Sequence, residues 1–172
     1  MLLIFFKYDQ RVREDRENTL QGNSEDYKFY KHSSPDFSLN YPKELKIDNY
    51  KENEGETIVF THPRNSEVSK PEGKIGFQIY ITPFDDGEAL TRERILKDLP
   101  EAVIEEPLRV VVNPSAPEEG RIQGLIFWSA SEDIGRTREL WFIHGGFLYE
   151  ITTYAHLDEW LAKIMDSFRF KL

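Results

Sequence analysis

Arg136-Thr137-Arg138-Glu139-Leu140-Trp141-Phe142-Ile143-His144-Gly145-Gly146-Phe147-Leu148-Tyr149-Glu150-Ile151-Thr152-Thr153-Tyr154 reads as two β-rich runs about a pair of glycines. A two-residue hairpin loop needs positive φ at its central positions, which glycine adopts without steric cost. The implied register sets His144 against Phe147, Phe142 against Tyr149 and Leu140 against Ile151 on one face. Trp141 then meets Glu150, and Glu139 meets Thr152, on the other. That second face also carries Ile143 and Leu148. If the first helix covers the stripe of Trp141, Ile143 and Leu148 it is core, and if exposed it is an interaction patch.

Working outward, Ile122–Ala130 has apolar residues on both faces, so it is predicted to be a central strand covered on each side. Val110-Val111-Val112 ends at Asn113-Pro114. Ile75, Phe77, Ile79 and Ile81 alternate with Gly76, Gln78, Tyr80 and Thr82, the period of a half-buried strand. Thr57–Thr61 is a short β-rich run, and Phe37, Leu39 and Tyr41 alternate until Pro42. Two helices interrupt the strands. Glu88–Leu99 follows the turn Asp85-Asp86-Gly87 and stops at Pro100. Leu157–Phe168 places Leu157, Trp160, Leu161, Ile164 and Phe168 on one stripe, with Asp158 and Glu159 in its first turn. Phe168-Arg169-Phe170 closes the chain as a short strand. The pattern predicts an α+β domain, a central antiparallel sheet flanked by helices.

A chain of 172 residues suits one domain, and 12 Phe, 8 Tyr and 3 Trp suffice for a core. The net charge of −9 argues against binding a phosphate backbone, so no nucleic-acid partner is expected. Zero cysteines exclude disulfides, thiolate zinc sites and a cysteine nucleophile. Residues 1–34 differ from the body at 35–172: an apolar tip, Met1–Phe6, precedes a polar stretch whose six basic and six acidic groups cancel. Lys7–Ser34 is therefore expected to be a tether. The tip fits either a strand docked on the body or the trailing end of a membrane anchor. Its six apolar residues span about 9 Å as helix against a hydrocarbon core of about 30 Å, so the stretch alone does not cross a membrane.

The opening Phe37-Ser38-Leu39-Asn40-Tyr41-Pro42, the hairpin segment Gly146–Thr152 and the ending Ile164–Phe170 occur in an order that resembles the PsbP-like superfamily, named for an extrinsic photosystem II protein. The resemblance covers about residues 30–172. It implies an α-β-α sandwich around an antiparallel sheet and an accessory or assembly role without catalysis. It also implies a place on the extracytoplasmic side of a membrane, the cytoplasm being the alternative. Partners would be a protein or a membrane-associated assembly, with the membrane reached only through an N-terminal anchor. The superfamily supplies no catalytic motif to carry over, and the lipoprotein-type cysteine of many bacterial relatives is absent.

Chemistry is sparse. His32, His62, His144 and His156 lie in unrelated segments, without the spacing that puts two ligands on one helical face. His156 and Asp158 suit a helix start better than a shared metal. Asp85-Asp86-Gly87-Glu88 reads as a capping turn, because a twelve-residue calcium loop from Asp85 would need a glutamate where Leu96 stands. No catalytic residue, cofactor or metal is assigned. Trp128, Trp141, Tyr149, Tyr154 and Trp160 form either the sheet–helix core and its rim or the lining of a ligand groove. In the second case the ligand-binding residues are Trp141 and Tyr149, with Arg136 and Arg138 as polar anchors and His144 at the mouth. A small-molecule or lipid carrier is the alternative function on that reading, and a hydrolase a more distant one.

Overall fold

The computed structural model describes residues 26–52, 54–84, 89–132 and 134–171. Eleven strands run through them: β1 (Tyr27–Ser33), β2 (Asp36–Pro42), β3 (Lys46–Glu52), β4 (Gly55–Thr61), β5 (Gly76–Pro83), β6 (Val103–Ile104), β7 (Leu108–Val111), β8 (Gln123–Ser131), β9 (Gly135–His144), β10 (Phe147–Tyr154) and β11 (Arg169–Phe170). Helix α1 (Arg92–Asp98) lies between β5 and β6, and α2 (Asp158–Met165) between β10 and β11. Gly145 and Gly146 take φ of 58° and 79°, and β9 and β10 pair in the expected register, Phe142 with Tyr149 and Trp141 with Glu150.

The hairpin sits near the middle of a large antiparallel sheet ordered β3-β4-β5-β10-β9-β8-β6, with β7 also on β8. β8 is therefore not central. Two short segments on either side of Pro107 share its outer flank, β6 pairing Val103 with Ala130 and β7 pairing Leu108 with Ile126. Its apolar residues on both faces reflect two covered faces rather than a middle position.

One face of the sheet carries Ile58, Phe60, Phe77, Ile79, Phe142, Tyr149 and Ile151, packed under α2 and a small sheet ordered β1-β2-β11. Leu39 of β2 and Leu161, Ile164 and Phe168 of the C-terminal segment close this core. The cover is thus sheet and helix together rather than helix alone. The opposite face holds a smaller cluster, Phe84, Leu125, Phe127, Trp141 and Leu148, beneath Ile95 of α1.

Both helices are shorter than their patterns suggested. α1 starts at Arg92 because the Thr91 hydroxyl accepts the Arg94 N–H at 3.2 Å, the hydrogen bond that defines an N-cap. The Asp85–Glu88 turn lies outside the described residues. α2 stops at Met165, where Ser167 Oγ donates to the Ile164 carbonyl at 2.6 Å and accepts the Asn40 N–H at 2.8 Å. Released from the helix, Phe168 turns inward and stacks on Phe37 at 4.8 Å. Trp160, expected on the buried stripe, is half-buried and meets Phe77 edge-on at 5.9 Å.

The expected tether is corrected over Tyr27–Ser33, which forms β1 and pairs residue for residue with β2. Its inward residues are Tyr30 and His32, while Tyr27 and Phe29 face out, Phe29 67% exposed. His32 stacks on Phe37 at 4.9 Å, with Nδ1 2.8 Å from the Pro35 carbonyl and Nε2 3.1 Å from Glu56. A polar residue thus holds the place an apolar one usually takes.

Candidate functional site

The proposed groove of Trp141, Tyr149, Arg136, Arg138 and His144 does not assemble. Trp141 and Tyr149 stand on neighbouring strands but point to opposite faces, and both are fully buried. Trp141 lies edge-on to Phe127 at 5.6 Å in the cluster under α1, so the stripe it leads is core. Tyr149 stacks on Phe142 at 5.0 Å in the larger core. Its hydroxyl has no hydrogen-bond partner among the described residues, and burial pushes its pKa far up. His144 ends β9 with its ring flat on Phe170 at 3.6 Å, and partial burial lowers its pKa.

Arg136 and Arg138 do meet, over a residue outside the proposed ligand set. Their guanidinium carbons lie 4.3 and 4.2 Å from the centre of the Trp128 ring, within cation–π range. Register explains the convergence. Trp128 pairs with Arg138 and Ala130 with Arg136, and residues directly opposite on paired strands share a face. Arg138 is buried and donates from Nε to Asp158, the first residue of α2, at 2.9 Å. Asp158 is thereby committed to an arginine, and His156 stacks on Tyr154 instead. Arg136 is exposed and pairs with Glu105 at 2.8 Å, both side chains more than half in solvent. Val103 and Leu108, paired with Ala130 and Ile126, add apolar side chains 76% and 52% exposed to the same face. The patch offers an aromatic ring, a guanidinium and flanking aliphatic surface. Among these described residues none is a nucleophile, and the carboxylates of Glu105 and Asp158 are held by arginines.

A second cluster, missed in the sequence, lies on the α1 side. The Glu139 carboxylate is buried and accepts hydrogen bonds from the Thr137 and Thr152 hydroxyls, each at 2.7 Å, and from Trp141 Nε1 at 3.4 Å. Burial raises its pKa despite these donors. Glu150, on the same face of the adjacent strand, is pushed up to about 8, first by burial and then by the charges of Asp98 and Glu139, with Arg94 opposing. The available signal was a glutamate breaking each apolar strand of the hairpin. Among the described residues no three histidine or carboxylate groups converge to hold a metal ion.

No family profile and no curated protein matches the chain. Solved structures do. The solution structure of cyanobacterial PsbP (CyanoP) from Synechocystis sp. PCC 6803 superposes with a TM-score of 0.58 at 11% identity, over 85% of this chain and 93% of that one. The fold is PsbP-like. A crystal structure from Bacteroides thetaiotaomicron is also similar, with a TM-score of 0.48 at 15% identity. The chain covers 86% of itself but about half (49%) of that longer protein. On the PsbP-like scaffold, two open grooves flank the β1–β2 hairpin. One of about 310 Å³ is bordered by Pro35, Glu56 and Phe147, and one of about 320 Å³ by Phe29, Phe37 and Phe170. Among the described residues, no helix is long and apolar enough to cross a membrane.

Proposed function

We propose that this chain is a non-enzymatic accessory domain that binds a protein partner through the Trp128–Arg136 surface at the β6–β8 edge. The observation that carries it is one half-buried tryptophan flanked by two guanidiniums, beside Val103 and Leu108 left in solvent. Protein-binding surfaces are enriched in Trp and Arg and draw their energy from a few such anchors within a ring of weaker contacts. The buried arginine, fixed by Asp158, holds the ring in place, and the exposed one is free of burial cost when it exchanges Glu105 for an acidic group of the partner. The PsbP-like fold supports an accessory role by analogy of architecture, with α2 and α1 on opposite faces read as the flanking layers of a PsbP-type α-β-α sandwich. The apolar Met1–Phe6 and the polar stretch after it support a tethered domain on the extracytoplasmic side of a membrane. A carrier is disfavoured because the aromatics that would line its groove fill the two cores instead.

The test is a photo-crosslinking residue placed in living cells at Val103 or Leu108, with exposed Glu72 and Lys163 as control positions. A discrete adduct from the first pair alone is expected. Equal labelling from all four positions, or none from Val103 and Leu108, contradicts the assignment.

A further inference from the structure

α1 is a seven-residue helix with one fully buried side chain, Ile95, and helices this short do not persist without tertiary docking. What lies beneath it is unusual in charge. Glu139 and Glu150 are diagonal neighbours on one face of paired strands, since Glu139 faces Thr152 and Glu150 faces Trp141. Among the described residues, the charged or titratable groups that face Glu150 are Glu139 of β9, Tyr80 of β5, and Asp98 and Arg94 of α1. Arg94 bridges Asp98 and lies 5.3 Å above the Phe84 ring. Among the described residues Glu150 therefore meets the charges of two carboxylates, Asp98 and Glu139, against that of Arg94, which already bridges Asp98, an imbalance relieved when one carboxyl keeps its proton.

We propose that Glu150 and Glu139 form a proton-binding pair that fastens α1 to the sheet, docked while the pair holds a proton and loosened when both carboxylates are ionised. At Glu139 three donated hydrogen bonds oppose the effect of burial, whereas at Glu150 the charges of Asp98 and Glu139 add to it. Glu150, which feels the Asp98 charge, is the member that takes the proton. The sign follows from linkage. Its folded pKa, about 8, lies above the ordinary carboxylate value, so the folded state binds the proton more tightly than the unfolded chain. The contribution is complete below the unfolded value of 4.5 and is lost as pH rises through about 8. Loss of the proton weakens the cover over Trp141, Phe127 and Leu148 first, since α1 is the element that carries the opposing charge.

The experiment measures unfolding of the full chain in urea from pH 6 to 9, with amide exchange of residues 92–99 as local readout. The wild type is expected to lose up to about tenfold in its folding constant per pH unit on approaching pH 8, the limit for one linked proton. Glu150→Gln is expected to flatten that slope, to exceed the wild type in stability at pH 9, and to make exchange in α1 independent of pH. Glu139→Gln is expected to move the transition to lower pH. Parallel profiles for wild type and Glu150→Gln overturn the proposal. Should Glu150→Gln fail to fold, carboxyl-carbon NMR of the wild type decides: a Glu150 midpoint near 7–8 supports the pair, and one in the ordinary carboxylate range near about 4.3 rejects it.

Discussion

At the residue scale, polar groups inside this protein fall into satisfied and unsatisfied sets, and the two respond oppositely to substitution. Asn113 is fully buried and uses its whole amide: Nδ2 donates to the Gly120 and Phe168 carbonyls at 3.0 and 2.9 Å, and Oδ1 accepts the Ile122 N–H at 2.8 Å. Asn113→Ala strands the buried Ile122 N–H and takes one donor each from the Gly120 and Phe168 carbonyls, the latter still reached by Arg169, and a loss of about 1–3 kcal/mol is expected in chemical denaturation. Tyr149 is the reverse case. Its hydroxyl is buried without a partner among the described residues, so Tyr149→Phe keeps the ring stack and removes the burden, leaving stability equal or higher by about 1 kcal/mol. A clear loss would show that the hydroxyl is bonded. These differences were not legible in the sequence, where Trp141 and Tyr149 are simply aromatics on the same hairpin as the two arginines. Which face each occupies follows from the hairpin register, and that register was readable. What each face packs against is set by segments far away in the chain.

At the element scale, the legible parts were those whose local chemistry and burial agree. Gly145-Gly146 fixes a hairpin because only positive φ closes a loop of that length, and the alternation in β5 survives because one of its faces is dry. β1 was not legible, since its outward side carries Tyr27 and Phe29 and its inward side His32, the inverse of the usual pattern. The start of α1 falls at Arg92 because Thr91 caps it. A consequence for β1 is testable by truncation. Removing residues 1–25 should leave the melting midpoint within a degree or two. Removing residues 1–33 deletes the strand, the His32–Glu56 contact and the edge of Tyr30 against Phe60, and a fall of about 5–10 °C is expected. Equal midpoints for the two truncations would mean that β1 contributes nothing to the small sheet.

At the scale of the whole molecule, the large sheet has two cores of unequal depth, and function is assigned to the rim rather than the interior. Edge strands invite association and are usually guarded by charge or proline. β6 and β7 have Glu105, Glu106 and Pro107 between them, yet leave Val103 and Leu108 exposed beside the Trp128 ring. The site was half legible: Arg136 and Arg138 were singled out, but their partner was taken to be Trp141 because contact across β8 and β9 depends on a pairing the sequence does not display. The most direct measurement is native-gel migration of the full chain expressed in its source cells, comparing wild type with Leu108→Asp/Trp128→Ala, after both purified proteins are shown to melt within a few degrees of each other. The wild type is expected to migrate in a complex heavier than the 20.3 kDa chain, and the double variant as the free chain. Wild type and variant migrating alike, whether both bound or both free, would contradict a binding role for the Trp128–Arg136 edge.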